Sequence, residues 1–407
     1  MKPKFAVSAS RSMPDPQGLD RRSFLKLGAA LGAGFLAGPV GASAQETKPA
    51  PPPRPRTNVE DALRVPRTER SLPGPFPGRV AEAHDPKALK DDIPEPAGVR
   101  DLFRRGLTLL TGQSPEESFH LFFNPEDVVG LKVNPVGPKL ISTRPELAEA
   151  VIEWLTDGGI PRSNVIIWDR FDYMLRDAGF TPERFPGVGI EGLQTMDEAA
   201  ASGQTQDNSR WLSPDGHHLS EGNFDRDVYY WADVEAPQDL PYLNQHVFNG
   251  RYSYFGKLLT RKLTKIINLP VFKNTGNGIS MATKNIGYGA ICNTNRLHQP
   301  LSFSVNTEVH AFPVIRDKLV LNVTDGLRAQ YDGGPDAAAQ FIYSLSTLFL
   351  ATDPFALDMV CHRLLVEKRK SMGVRVNEHP IYTEYLHYAE RLGLGRVAPE
   401  RIDHVRL

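Results

Sequence analysis

An α/β fold, with a largely parallel central sheet and helices on both faces, is the architecture this sequence predicts, and three neighbouring segments carry the prediction. Asn164-Val165-Ile166-Ile167-Trp168-Asp169 is a continuous apolar run of the kind found in strands buried on both faces. Pro145 to Asp157 repeats Leu147, Val151, Ile152 and Leu155 along one helical face and stops at Gly158-Gly159. Asp127 to Asn134 reads as a strand that ends in polar residues. Strand, helix, strand with short connections is a βαβ unit, which implies parallel strands and a right-handed crossover.

The chain in order begins with an address. Asp20-Arg21-Arg22-Ser23-Phe24-Leu25-Lys26 precedes a Gly/Ala-softened apolar run from Leu27 to Val40, then Ala42-Ser43-Ala44. Paired arginines, a modest hydrophobic region and a small-x-small site together read as a twin-arginine signal peptide over 1–44. The reading predicts export to the periplasm or beyond by the twin-arginine machinery, cleavage near Ala44 and a mature chain from Gln45. The apolar run is shorter than the roughly 20 residues a bilayer span needs, so no permanent membrane span is expected in the mature form. From 45 to 97 the chain is dominated by Pro and charge, as in PAPPPRPR and SLPGPFPG, and is expected to be an extended, poorly packed arm.

Folding proper is expected over 98–407. Val99 to Leu107 has a helical apolar rhythm, and the βαβ unit follows. Between about 182 and 255 the pattern weakens into an irregular insertion around Val228-Tyr229-Tyr230-Trp231; His217-His218, within it, reads as a solvated turn in a Ser-Pro-Asp-Gly loop. Lys265 to Phe272 is an apolar strand stopping at Lys273, followed by a Gly- and Asn-rich loop carrying Lys284-Asn285 and closing on His298. Lys318 to Gly326 and Thr347 to Asp353 read as strands ending in acids. Phe355 to Lys368 is a helix N-capped by Asp353, and Tyr382 to Leu394 a last one.

Composition narrows the function. With 47 basic and 48 acidic side chains the net charge is -1, which gives no bulk reason to expect nucleic acid as a partner. Two cysteines, Cys292 and Cys361, cannot supply the four cysteine ligands of an iron–sulfur cluster from one chain, and no such cluster is expected; two separate packed thiols fit better than a disulfide. There is no dinucleotide fingerprint around Gly276-Asn277-Gly278 and no G-x-S-x-G elbow.

Each strand end carries a polar or ionisable group: Lys132 and Asn134, Asp169, Lys273, Asp325, Asp353. In an open parallel sheet such ends share one edge, where ligands bind. Lys132, Lys273 and Lys284, beside glycines that admit backbone donors, suit a carboxylate or phosphate, with Asn134 and Asn285 as further binding groups. Lys284, His298 and Asp325 are the candidates for proton transfer. Asp169, Asp325 and His298 could hold a divalent metal, or the acids could equally pair with the lysines. Two functions follow: an exported enzyme acting on a small anionic substrate, with a metal as an option, or a non-catalytic periplasmic ligand- or cofactor-binding protein.

Val129-Gly130-Leu131-Lys132-Val133-Asn134, Leu269-Pro270-Val271-Phe272-Lys273, Lys284-Asn285, Asn293 to His298, Asp325 to Pro335 and Thr352 to Asp358 occur in an order that resembles the DUF362 family, over about 124–366. The resemblance implies a domain with no settled activity, fused in other members to ferredoxin-type modules. This chain lacks the cysteine sets of those members, and Asn274 and Thr275 stand where a histidine is common after the lysine.

Overall fold

The computed structural model describes residues 54–194, 205–207, 210–212, 222–234, 251–298 and 301–407, and everything below concerns these. The signal segment and His217-His218 lie outside them. Arg54–Leu407 forms one unit.

The strands are β1 (Arg79–His84), β2 (Leu89–Lys90), β3 (Ile93–Pro94), β4 (Val129–Val133), β5 (Val165–Phe171), β6 (Gly189–Gln194), β7 (Thr205–Asp207), β8 (Arg210–Leu212), β9 (Phe224–Trp231), β10 (Tyr252–Gly256), β11 (Lys265–Leu269), β12 (Val271–Thr275), β13 (Gly278–Ile279), β14 (Leu319–Gln330), β15 (Ile342–Ala351) and β16 (Asp403–Arg406). The helices are α1 (Val59–Arg64), α2 (Pro96–Thr111), α3 (Pro115–Phe122), α4 (Pro145–Asp157), α5 (Asp172–Asp177), α6 (Ala282–Gly287), α7 (Ser304–His310), α8 (Pro313–Arg316), α9 (Pro354–Ser371) and α10 (Glu384–Arg391).

A ten-stranded sheet runs β16-β1-β15-β14-β11-β4-β5-β6, with β12 and β13 attached beside β14. The contiguous run from β14 to β6 is parallel, as the βαβ reading requires. β15 is antiparallel to both β14 and β1, so the sheet is mixed at that side. Alternation along the strands divides the core. Leu131, Val133, Ile267, Leu269, Leu321 and Val323 face α2 and α4, whereas Ile166, Trp168 and Ile266 face α6 to α8. Helices therefore cover both faces.

Local chemistry explains the helix ends. α4 starts at Pro145, whose fixed φ suits the first helical position. α3 carries a full capping box between Ser114 and Glu117. Asp353 caps α9, accepting from the backbone N–H groups of Phe355 and Ala356, both at 3.0 Å.

Three expectations are corrected. Residues 54–97 are not a loose arm: β1 pairs with β15 through Ala81 to Leu350, and Val80, Ala81 and Ala83 are buried. The proline-rich flanks hid a short strand whose partner lies far along the chain. The Gly/Asn-rich stretch after β12 is not a continuous loop but a tight β12–β13 turn, with Gly276 at φ 54°, and then α6. Asp325 does not end a strand either. β14 continues to Gln330, pairing with β11 over its first part and with β12 beyond Pro270. The insertion holds the β7–β8 and β9–β10 ladders among its described residues. Cys292 and Cys361 are both buried free thiols in separate parts of the core.

Candidate functional site

The connections from β4 and β11, neighbours in the sheet, leave in opposite directions. β4 leads through α4 to β5 on one side, and β11 leads through α6 to α8 to β14 on the other. This is the topological switch point of an open parallel sheet, where the diverging loops leave a crevice.

A row of polar side chains crosses the sheet there. Asn268 is in register with Lys132 on β4 and Asn322 on β14, and Lys132 with Trp168 on β5. Each sits between residues that point to the α4 face, so this row points to the α6 face. α6 lies over it and supplies Asn285.

The Lys132 Nζ donates to the Val133 carbonyl at 2.8 Å and to Asn285 Oδ1 at 3.0 Å, and pairs with Asp169. Asn285 Oδ1 also accepts from Asn134 Nδ2 at 3.2 Å, and its Nδ2 donates to Asn268 Oδ1 at 2.8 Å. Asn268 in turn donates to Asn322 Oδ1 at 2.9 Å. Lys273 Nζ donates to Asn134 Oδ1 at 3.0 Å and to the Val136 carbonyl at 3.1 Å. One hydrogen-bonded network thus joins Asp169, Lys132, Asn285, Asn134 and Lys273, extended by Asn268 and Asn322. Gly289 is needed beside it, because a Cβ there would lie 2.4 Å from Lys132 Cε.

Burial pushes the Lys273 ammonium down to about 7, helped by the nearby Lys284 charge. Lys284, half-buried, is lowered to about 8 by desolvation and makes one long contact, 3.5 Å to Thr275 Oγ1. Burial also pulls the Lys132 ammonium down, against the opposing pull of Asp169. Among the described residues no carboxylate lies within ion-pair distance of Lys273 or Lys284.

Sequence reasoning missed several members. Arg170, next to Asp169, donates to Gln194 Oε1 at 2.7 Å and to the Thr294 hydroxyl. Asn268 and Asn322 were visible as single amides inside apolar strands, a signal that a polar partner waits on the far face. Asp358 is the anchor of α6: its carboxylate accepts from the Ala282 and Thr283 N–H groups at 2.9 and 3.0 Å, and burial raises it to about 7. Asp358→Ala is expected to lower stability by about 1–3 kcal/mol, since three buried donors, the two N–H groups and the Thr283 hydroxyl, lose their acceptor. Urea denaturation checks this, and a variant as stable as the parent would show that α6 needs no such anchor.

The remaining candidates fall outside the network. Asp325 points toward the start of α4, accepting from Arg144 N at 2.7 Å and Leu327 N at 3.1 Å, and burial raises it to about 6. His298 is exposed; its Nδ1 lies 3.0 Å from the Thr294 carbonyl, and its ring lies tilted by 37° with its centroid 4.3 Å from that of Tyr288, itself 6.0 Å from Lys284 Nζ. His298 therefore borders the lysines through Tyr288, whereas Asp325 does not contact them. The metal set Asp169, Asp325 and His298 is not assembled. Asp169 is engaged by Lys132, Asp325 serves backbone donors, and no cluster of three metal-type ligands occurs among the described residues. Asp353 is a cap, also accepting from Arg396 N at 2.7 Å.

The architecture is that of an α/β protein with a polar centre at its switch point. Residues 251–363 match the family model of DUF362, described as "Domain of unknown function (DUF362)", which supports a DUF362 family protein and covers β10 to the middle of α9. Lys273, Lys284, Asn285, Asn268 and Asn322 lie inside the matched segment; Lys132, Asn134 and Asp169 lie outside it. No curated protein and no solved structure matches the chain. No helix among the described residues is long and apolar enough to cross a membrane.

Proposed function

We propose that this is an exported protein, addressed by its twin-arginine segment, that binds a small anion at the switch point and acts on it as an enzyme with Lys284 as the base. One observation carries the reading: buried Lys132 has a contacting carboxylate, Asp169, whereas Lys273 and the half-buried Lys284 meet only neutral acceptors among the described residues and feel the Asp336 charge from beyond contact. Burying that excess of positive charge costs free energy unless a ligand of opposite sign offsets it. A carboxylate or phosphate group has the size and acceptor count to do so. Binding favours a charged Lys284, so affinity is expected to rise as pH falls through about 8, where Lys284 gains its proton.

Calorimetric titration with inorganic phosphate and with lactate tests this. Lys284→Ala is expected to weaken binding at least about tenfold, ~1.4 kcal/mol, while the melting temperature stays within a few degrees, since Lys284 makes only one long hydrogen bond. Absence of heat with both anions would remove the reading. The position of Asp325 and the exposure of His298 favour, as the second reading, retention of the anion without turnover: neither acid–base candidate touches the lysines. Binding without consumption of any ligand would select it.

A further inference from the structure

The two buried lysines of the network differ in how many acceptors meet them. Lys132 Nζ has three: Asp169, the Val133 carbonyl and Asn285 Oδ1. Three N–H donors and a carboxylate define an ammonium ion. Lys273 Nζ has two, Asn134 Oδ1 and the Val136 carbonyl, both neutral. Two acceptors match the two N–H groups of an uncharged amine and leave its lone pair unengaged. Lys273 is 1% exposed, and the nearest cationic influence on it is Lys284, the more exposed of the pair. A desolvated lysine beside a second cation is the arrangement that keeps an amine nucleophilic.

We infer that Lys273 is an imine-forming amine, and that the anion taken by this site carries a carbonyl next to its carboxylate, a 2-oxo acid. The inference rests on the anion site proposed above and deepens it. Lys284 would hold the carboxylate, and its position beside Lys273 brings the adjacent carbonyl carbon to the amine. The Lys273 Nζ lone pair forms a bond to that carbon, and the carbonyl π pair moves to oxygen. Both N–H protons of Lys273 then leave, by way of Lys284, with the carbonyl oxygen as one water molecule, and a C=N bond remains. No oxidant or reductant enters the step. The lowered affinity of Lys273 for protons agrees with the geometry, since an ammonium has no lone pair to give.

The experiment is reductive trapping on the full-length protein. The protein is incubated with pyruvate, reduced with borohydride and mapped by peptide mass spectrometry, with lactate as the anion that lacks a carbonyl. The expected result is a gain of pyruvic acid less one oxygen on the peptide carrying Lys273, dependent on both pyruvate and borohydride. Lys273→Met is expected to lose the adduct while keeping a cooperative urea unfolding transition, which shows the variant is folded. Binding of pyruvate and lactate with no adduct would overturn the imine and leave the anion site standing. No binding and no adduct would overturn both. Adducts only on Lys284 or on exposed lysines would also overturn it.

Discussion

Lys132→Met is expected to lower the unfolding free energy at neutral pH by roughly 3–5 kcal/mol, the range for breaking one side of a buried ion pair. Lys132 is 1% and Asp169 7% exposed, so the carboxylate left behind has little water to turn to. The loss does not stop at Asp169. Asn285 Oδ1 would keep only the Asn134 donor, and the Val133 carbonyl would lose the Nζ donor. The thioether chain fills nearly the volume of the lysine stem, so a cavity contributes little. Adding Asp169→Leu to Lys132→Met should recover part of the deficit at neutral pH, because the uncompensated charge is gone. Urea denaturation of the three proteins at neutral pH decides the matter. A single variant within about 1 kcal/mol of the parent would mean the pair behaves as a solvated surface contact.

That network also explains which parts of the molecule could be read from the sequence. α4 and β5 were legible because their patterns are local: one apolar stripe ending at Gly158, and one apolar run ending at Asp169. The polar row was legible for the same reason, since Lys132 and Lys273 are the charges that interrupt apolar runs in β4 and β12, and Asn134 directly follows β4. The lid over the site was not. α6 spans six residues, two of them Gly287 and Asn285, residue types with low helix propensity, and it is held by a carboxylate on α9 that the local sequence cannot announce. β1 was hidden similarly, flanked by Pro-rich stretches and defined by pairing with β15. Asp325 misled because Asp-Gly usually marks a turn; here Gly326 sits at an irregularity inside β14, and Pro270, which has no N–H, offers its carbonyl to Asp325 N at 2.7 Å. The acid that seemed to face the ligand edge instead caps the entrance to α4.

The stability of Lys273→Met relative to the parent is expected to depend on pH, and the sign follows from the proton count. In the folded parent the Lys273 amine protonates at about 7, against the ordinary lysine value of 10.5. Between those values the unfolded chain holds a proton that the folded chain does not, so parent stability rises with pH across this window. Below it both states carry the proton, and the folded state bears the full cost of a buried charge without a carboxylate partner. Over pH 6 to 9 the Lys273 contribution should therefore add about 2–3 kcal/mol to the parent, at up to ~1.4 kcal/mol per unit. Methionine has no proton to exchange, and the variant lacks this rise. It is consequently at its best against the parent in mild acid and at its worst in mild base, where the Val136 carbonyl has lost its Nζ donor and Asn134 Oδ1 keeps only the Val136 N–H, at a cost of about 1–3 kcal/mol with no compensating relief. Contributions from the other titrating groups largely cancel in the difference. Unfolding free energies of both proteins, measured at intervals across this range in anion-free buffer, give the curve directly. A difference between parent and variant that stays constant with pH would mean Lys273 keeps an ordinary ammonium, and the excess positive charge on which ligand binding rests would then have to be balanced within the protein itself.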